Sequence, residues 1–132
     1  MKEVLTISIL NDLKRTNELK RALTRTLKQV HEDVYYRKAP SKSHYPYLTY
    51  YLKHTKNEHQ YSYFWEVHVW TRDVKLVEEL ADKIEEFDKC SYKDQCQSFD
   101  IDLESRNNIE DEDKEIQHIV LLFFLTYFSV KG

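Results

Sequence analysis

Residues 46–72 leave this chain few folding options, because they read as two aromatic strands joined by a polar connector. In Tyr61-Ser-Tyr-Phe-Trp-Glu-Val-His-Val-Trp-Thr-Arg72, one face collects Tyr61, Tyr63, Trp65, Val67 and Val69. The other face holds Ser62, Phe64, Glu66, His68 and Trp70. A period of two, with this enrichment in aromatic and β-branched residues, predicts a strand. Pro46-Tyr-Leu-Thr-Tyr-Tyr-Leu-Lys53 has the same chemistry, and residues 54–60 are polar enough for a solvated loop, so the two segments predict a hairpin.

The flanking segments supply the layer that a hairpin needs. Residues 4–30 have a helical pattern, with Leu10 and Leu13 on an early turn and Leu19, Leu23, Leu27 and Val30 in a stripe; Asn17-Glu18 reads as a cap between two helical pieces. Val34-Tyr35-Tyr36 predicts a short strand ended by Ala39-Pro40. After Asp73, a candidate N-cap, the residues Val74, Val77, Leu80, Ala81, Ile84 and Phe87 switch to spacings of three and four, with an acidic outer face of Glu78, Glu79, Asp82, Glu85, Glu86 and Asp88. Residues 98–103 alternate as a half-buried strand, 106–114 read as an acidic loop, and 115–130 as a long final strand. From Ile119 to Tyr127 both faces of that strand are apolar, which predicts a central position under a helix on one side and under a further cover, such as a neighbouring subunit, on the other. These elements predict an α+β fold in a single domain over residues 1–132: a mainly antiparallel sheet of about four to five strands with helices packed on it.

A chain of 132 residues buries roughly two thirds of its unfolded surface, enough for a core without covalent staples. Its longest apolar run, Ile119–Leu125, falls well short of the ~20 residues that span a bilayer, so no membrane partner is expected. Cys90 and Cys96 lack zinc-site spacing and are expected as free thiols in a reducing compartment. Charge is split along the chain. Residues 1–72 carry 13 Lys and Arg against 7 Asp and Glu, whereas 73–132 carry 7 against 16. Opposed solvated surfaces would explain this, as would a basic patch on one copy meeting an acidic patch on the next.

A catalytic or metal constellation is hard to assemble from these residues. His31-Glu32-Asp33 are consecutive and do not converge on one ion. His68 and His118 both fall on strands and are candidates to face each other across the sheet, more as satisfied sheet histidines than as ligands. Asp100, Asp102 and Glu104 would lie in a row about 6 to 7 Å apart on one strand face, but no Lys or His motif of a metal nuclease accompanies them. Asp111-Glu-Asp113 lacks the glycine of a calcium loop. With Gly132 the only glycine, no phosphate loop is available. The expectation is a non-enzymatic protein with no catalytic residue, no cofactor and no metal. Lys14, Arg15, Lys20, Arg21, Arg25 and Lys28, with the hairpin tyrosines, keep a nucleic-acid-binding regulator as the alternative to an ordinary solvated helix face.

The order of helix, Val34-Tyr35, Ala39-Pro40, a strand opening at Pro46-Tyr47, a strand ending in Trp70-Thr-Arg-Asp73, helix, strand, acidic loop and a final strand around His118 resembles one family. It is similar to the tail-completion proteins of long-tailed bacteriophages and prophages, the tail terminator or head-to-tail joining group. The resemblance implies a virion protein assembled in the host cytoplasm, a hexameric ring formed by self-association, and contacts with the phage tail tube protein and a head-completion or connector protein. DNA would pass through the lumen without specific binding. By position, Lys53, His54, Lys56 and Glu58 in one loop region and Glu110, Asp111, Glu112 and Asp113 in the other are the implied ring or tube contacts.

Overall fold

The final strand organises the molecule. In the computed structural model, which describes residues 2–56 and 61–129 and the side chains of 14–55 and 61–128, β6 (Gln117–Ser129) lies between β3 (Tyr61–Thr71) and β5 (Gln97–Ile109). β2 (Tyr47–Lys56) completes the hairpin with β3, and two three-residue strands, β1 (Val34–Tyr36) and β4 (Ser91–Lys93), close the edges. The order is β1-β2-β3-β6-β5-β4, antiparallel throughout except for the parallel β1–β2 pair. The sheet is thus six-stranded and mixed, where four to five mainly antiparallel strands are expected from the sequence. The additional strand is β4, hidden in the charged segment 88–97, where only three residues pair.

Helix α1 (Lys2–Lys28) is continuous, so the expected break at Asn17-Glu18 is absent. The reason lies in what the neighbouring turns touch. Leu19, Ala22, Leu23 and Leu27 are fully buried, and the Glu18 carbonyl accepts a bond from Gln97 Nε2 at 2.9 Å, which leaves Asn17 on the solvated side of an uninterrupted helix. Tyr50 ties the same helix to β2, its hydroxyl 2.7 Å from Thr24 Oγ1 and donating to the Lys20 carbonyl at 3.0 Å. Burial pushes the Tyr50 phenol above its usual range. Helix α2 (Val74–Glu85) starts at Asp73, whose Oδ1 accepts from Leu76 N at 2.9 Å, and buries Val77, Leu80, Ala81 and Ile84. Val74, placed on that stripe by its spacing, is exposed.

Both helices cover one side of the sheet. There Tyr63, Trp65, Val67 and Val69 of β3 pack beside Ile119, Leu121, Phe123 and Leu125 of β6, with Phe99 and Ile101 from β5. Burying each such side chain contributes roughly 1.5–3 kcal/mol, so this inner face is the main source of stability. Its one polar defect is the Trp65 indole Nε1, buried with no hydrogen-bond partner among the described residues.

Strand β5 runs to Ile109, beyond the expected boundary, and so replaces the first part of the expected loop. A β-bulge explains both its length and its concealment in the sequence. Leu103 pairs with Phe123 and Ser105 with Leu122, leaving Glu104 as the extra residue. Alternation therefore inverts after Glu104, and Arg106 turns to the helix side opposite Leu121. There its guanidinium meets Glu78 at 2.7 Å, Asp82 at 2.7 Å and Glu85 at 3.1 Å, three carboxylates of the α2 face that the sequence leaves solvated.

Candidate assembly surfaces

The side of the sheet opposite the helices is where the described chain is incomplete as a packed object. The strand registers define its rows. Tyr47, Trp70, His118 and Ile109 lie side by side across β2, β3, β6 and β5; Thr49, His68, Val120 and Asn107 form the next row. Tyr51, Glu66, Leu122 and Ser105 follow, then Lys53, Phe64, Phe124 and Asp102. The middle of this face is apolar, with Val120, Leu122 and Phe124 of β6 beside Phe64, whose ring meets that of Phe124 edge-on at 5.4 Å. None of these four is fully buried, and Ile109 and Phe128 are exposed at 44% and 38%. The expectation that β6 is central and apolar on both faces therefore holds, while among the described residues neither helix supplies the second cover.

One end of this face is an aromatic platform. Tyr45 stacks on Tyr47, Tyr47 meets Trp70 tilted by 33°, and Trp70 stacks on His118 with 3.6 Å between ring centroids. The Trp70 indole N–H donates to Thr49 Oγ1 at 3.0 Å. As the strand positions suggest, His68 and His118 meet: His68 Nδ1 and His118 Nε2 are 2.7 Å apart, one donating and the other accepting. Burial, reinforced by the proximity of His68, pushes His118 down to about 4, with Asp111 opposing the shift. Burial also lowers His68, while Glu66, 3.7 Å from its Nε2, pulls the other way. Two neutral rings sharing one hydrogen bond form a sheet pair, and the two nitrogens in that bond could not both ligate one ion without breaking it.

The residues singled out from the sequence fall into two groups at opposite ends of the sheet. Lys53 and His54 are exposed near the end of β2, His54 stacked against Tyr61 and Tyr63; the Lys56 side chain and Glu58 lie outside the described residues. Glu110, Asp111, Glu112 and Asp113 follow β5 at the far end, about 23 to 26 Å away along β3 at strand rise, since Lys53 and His54 stand opposite Phe64 and Tyr63. The acidic turn is organised from within: Asp111 Oδ1 accepts from Asp113 N, Asp113 Oδ1 accepts from Glu115 N, and Arg72 pairs with Glu115 at 3.2 Å and Asp113 at 3.7 Å.

The suspected carboxylate row does not survive folding. Asp100 accepts from Ser91 Oγ at 2.6 Å, Asp102 from Lys89 Nζ at 2.8 Å, and Glu104 is displaced by the bulge. His31 Nδ1 instead accepts from Asp33 N, forming a turn. Cys90 and Cys96 are exposed free thiols. No group of three His, Cys, Asp or Glu is placed to hold a metal among the described residues, and no described helix is long and apolar enough to cross a membrane.

A further feature invisible to residue patterning is the edge beside α1. Arg37 has a left-handed backbone (φ 70°), a conformation costing a non-glycine residue roughly 1–2 kcal/mol. It is fixed there by Arg37 N donating to the Tyr50 carbonyl at 2.7 Å. The strained turn carries its guanidinium over Tyr51 at 4.8 Å and Tyr36 at 5.5 Å, while Lys20 covers Tyr36 from α1 at 4.1 Å. The positive φ leaves no residue-type signal, because arginine is not a residue that marks such turns.

No protein-family model and no curated protein matches this chain. Among solved structures, a chain from a structure described as "Virion of native gene transfer agent (GTA) particle" is similar in fold, with a TM-score of 0.58 at 12% identity, covering 80% of this chain and 84% of that one. At this identity the likeness concerns the fold alone.

Proposed function

We propose that the protein is a structural component of a phage-type virion that completes the tail tube and joins it to the head connector, assembling head-to-tail into a hexameric ring. It works by contact rather than by catalysis, and needs no cofactor. The observation that carries this reading is the uncovered outer face of the sheet, where Phe64, Val120, Leu122 and Phe124 form an apolar centre that neither helix covers. An apolar surface of this kind, bordered by polar side chains such as Lys53, Asp102 and Asn107, suits association with other chains. The fold likeness to a chain of a gene transfer agent virion supports a virion structural protein, and the order of elements, which resembles the tail-completion group, is the reason for preferring tail completion. The exposed end of β2 at Lys53 and His54 and the acidic turn after β5, at opposite ends of the sheet, suit heterologous contacts, in which each copy presents one patch to its neighbour's other patch.

Light scattering over a concentration series, with negative-stain imaging, tests the proposal. The expected result is a species of six copies with a central hole, weakened when Asp111 and Asp113 are both changed to Lys. A closed twofold dimer, or a strict monomer at every concentration, would overturn the ring.

A further inference from the structure

The cations of this chain are used unequally. Around the acidic half carboxylates outnumber cations and three cations are neutralised internally, Arg106 by Glu78, Asp82 and Glu85, Arg72 by Asp113 and Glu115, and Lys89 by Asp102, while Lys75, Lys83, Lys93 and Lys114 have no ion pair among the described residues. On the second half of α1 the balance is reversed. Lys20, Arg21, Arg25 and Lys28 surround one shallow hollow with Thr24, Tyr36 and Tyr50, and Arg37 reaches the ring of Tyr36 from the sheet edge. Arg21 pairs with Glu18 at 3.2 Å, and Arg25 lies beside the Tyr92 hydroxyl. Lys20 and Arg37 face tyrosine rings, and for Lys20, Arg25, Lys28 and Arg37 no carboxylate partner is found among the described residues. Arg25 and Lys28 in the last turn favour the helix dipole, which accounts for those two. It does not account for Lys20 and Arg21 a turn or more earlier, nor for an arginine that a strained turn holds beside one of the same tyrosines, Tyr36, and over Tyr51.

We infer that this face, Lys20, Arg21, Arg25 and Lys28 with Arg37, binds the phosphate backbone of double-stranded DNA without regard to sequence. A second copy of the chain is the competing anionic partner: Arg106, Arg72 and Lys89 engage Glu78, Asp82, Glu85, Asp102, Asp113 and Glu115, whereas Glu110, Asp111 and Glu112 have no cation partner among the described residues, and the test below separates it from DNA. A phosphate backbone offers unneutralised charge at regular spacing, and lysine and arginine read it as charge alone. The inference goes beyond the structural role above and does not depend on ring formation.

The test is fluorescence anisotropy of a labelled 30-base-pair duplex of arbitrary sequence, titrated with the full chain at several salt concentrations. Five phosphate contacts predict a slope of about −4.5 in log affinity against log salt, a loss of roughly 500-fold between 50 and 200 mM. The triple variant Arg21→Glu, Arg25→Glu, Lys28→Glu should weaken binding at least tenfold, while Lys75→Glu with Lys83→Glu on α2 should change it less than twofold. Arg37→Gly relieves the backbone and removes the cation, so thermal stability should hold while affinity falls and the salt slope drops by about one. No binding at 50 mM salt, or equal losses in the α1 and α2 variants, would overturn the inference. So would α1 variants that disturb self-association and leave DNA affinity unchanged, which would identify the partner as another copy. A chain that binds DNA in this way but never forms a ring would refute the tail-completion reading and leave this inference standing.

Discussion

Acidification should destabilise this protein through His118, and the size of the effect can be worked from the structure. The ring is buried at 8% exposure on the outer sheet face, stacked on Trp70 and bonded to His68, and is pushed down from 6.5 to about 4. Between those values the unfolded chain binds a proton that the native state refuses, so stability falls as pH falls. At pH 5 the unfolded histidine lies 1.5 units below its ordinary value of 6.5 while the native ring is still largely neutral. At about 1.36 kcal/mol per unit this is about 2 kcal/mol lost relative to pH 8, rising to about 3 kcal/mol near pH 4. His68, also lowered by burial, adds in the same direction. Asp94, lowered overall because its bonds to Cys96 N, Tyr92 and Gln97 outweigh burial, loses its contribution only below its ordinary 3.8, outside this window. Urea denaturation at pH 8 and pH 5 measures the effect. With a slope of roughly 2 kcal/mol per molar for a small domain, the wild-type midpoint should drop by about 1 M or more. In His118→Phe, which keeps a ring against Trp70 but cannot take up a proton, most of that drop should vanish, leaving the share from His68. A variant that keeps the full drop, or a wild type whose midpoint does not move, would refute the reasoning.

Replacing Arg106 with Met should cost about 1–2 kcal/mol at low salt and much less in 1 M NaCl, since the three carboxylates it clamps are half-exposed and exposed pairs contribute about 0.2–1 kcal/mol each; a salt-independent loss would mean that packing, not charge, is at stake. Tyr50→Phe removes a hydroxyl that bonds both Thr24 and the Lys20 carbonyl in a buried setting, and chemical denaturation should show a loss of about 1–2 kcal/mol. Trp65→Phe should be tolerated within about 1 kcal/mol, because the smaller ring is offset by relief of an unpaired buried N–H; a loss well above 2 kcal/mol would show that the indole nitrogen has a partner in solution.

Wherever one side of an element meets the core and the other meets water, the local pattern is legible. The hairpin, the Asp73 cap, most of the apolar stripe of α2 and the two-sided apolar character of β6 follow from alternation and from spacings of three and four. The same logic places His68 and His118 on a common face. It fails at Glu104, because one inserted residue inverts the alternation and makes Arg106-Asn-Asn108 look like loop. It fails at β4, where three paired residues in a charged segment are too few to carry a period. It also fails at Asn17, where a plausible cap is overridden by the burial of Leu19 and Leu23.

The candidate surfaces divide along the same line. The acidic composition of the loop after β5 and the cations of α1 are visible residue by residue, but which of those charges are already spent is not. Arg106, Arg72 and Lys89 find carboxylates 13 to 43 positions away along the chain only once the sheet has formed, whereas Lys20, Lys28 and Arg37 do not. Sequence by itself determined the kinds of element and the chemistry each face carries, because those depend on contacts within a few residues. Tertiary structure decided which charges cancel, which face stays uncovered and where the histidines meet, because each of these is a distance between residues far apart in the chain.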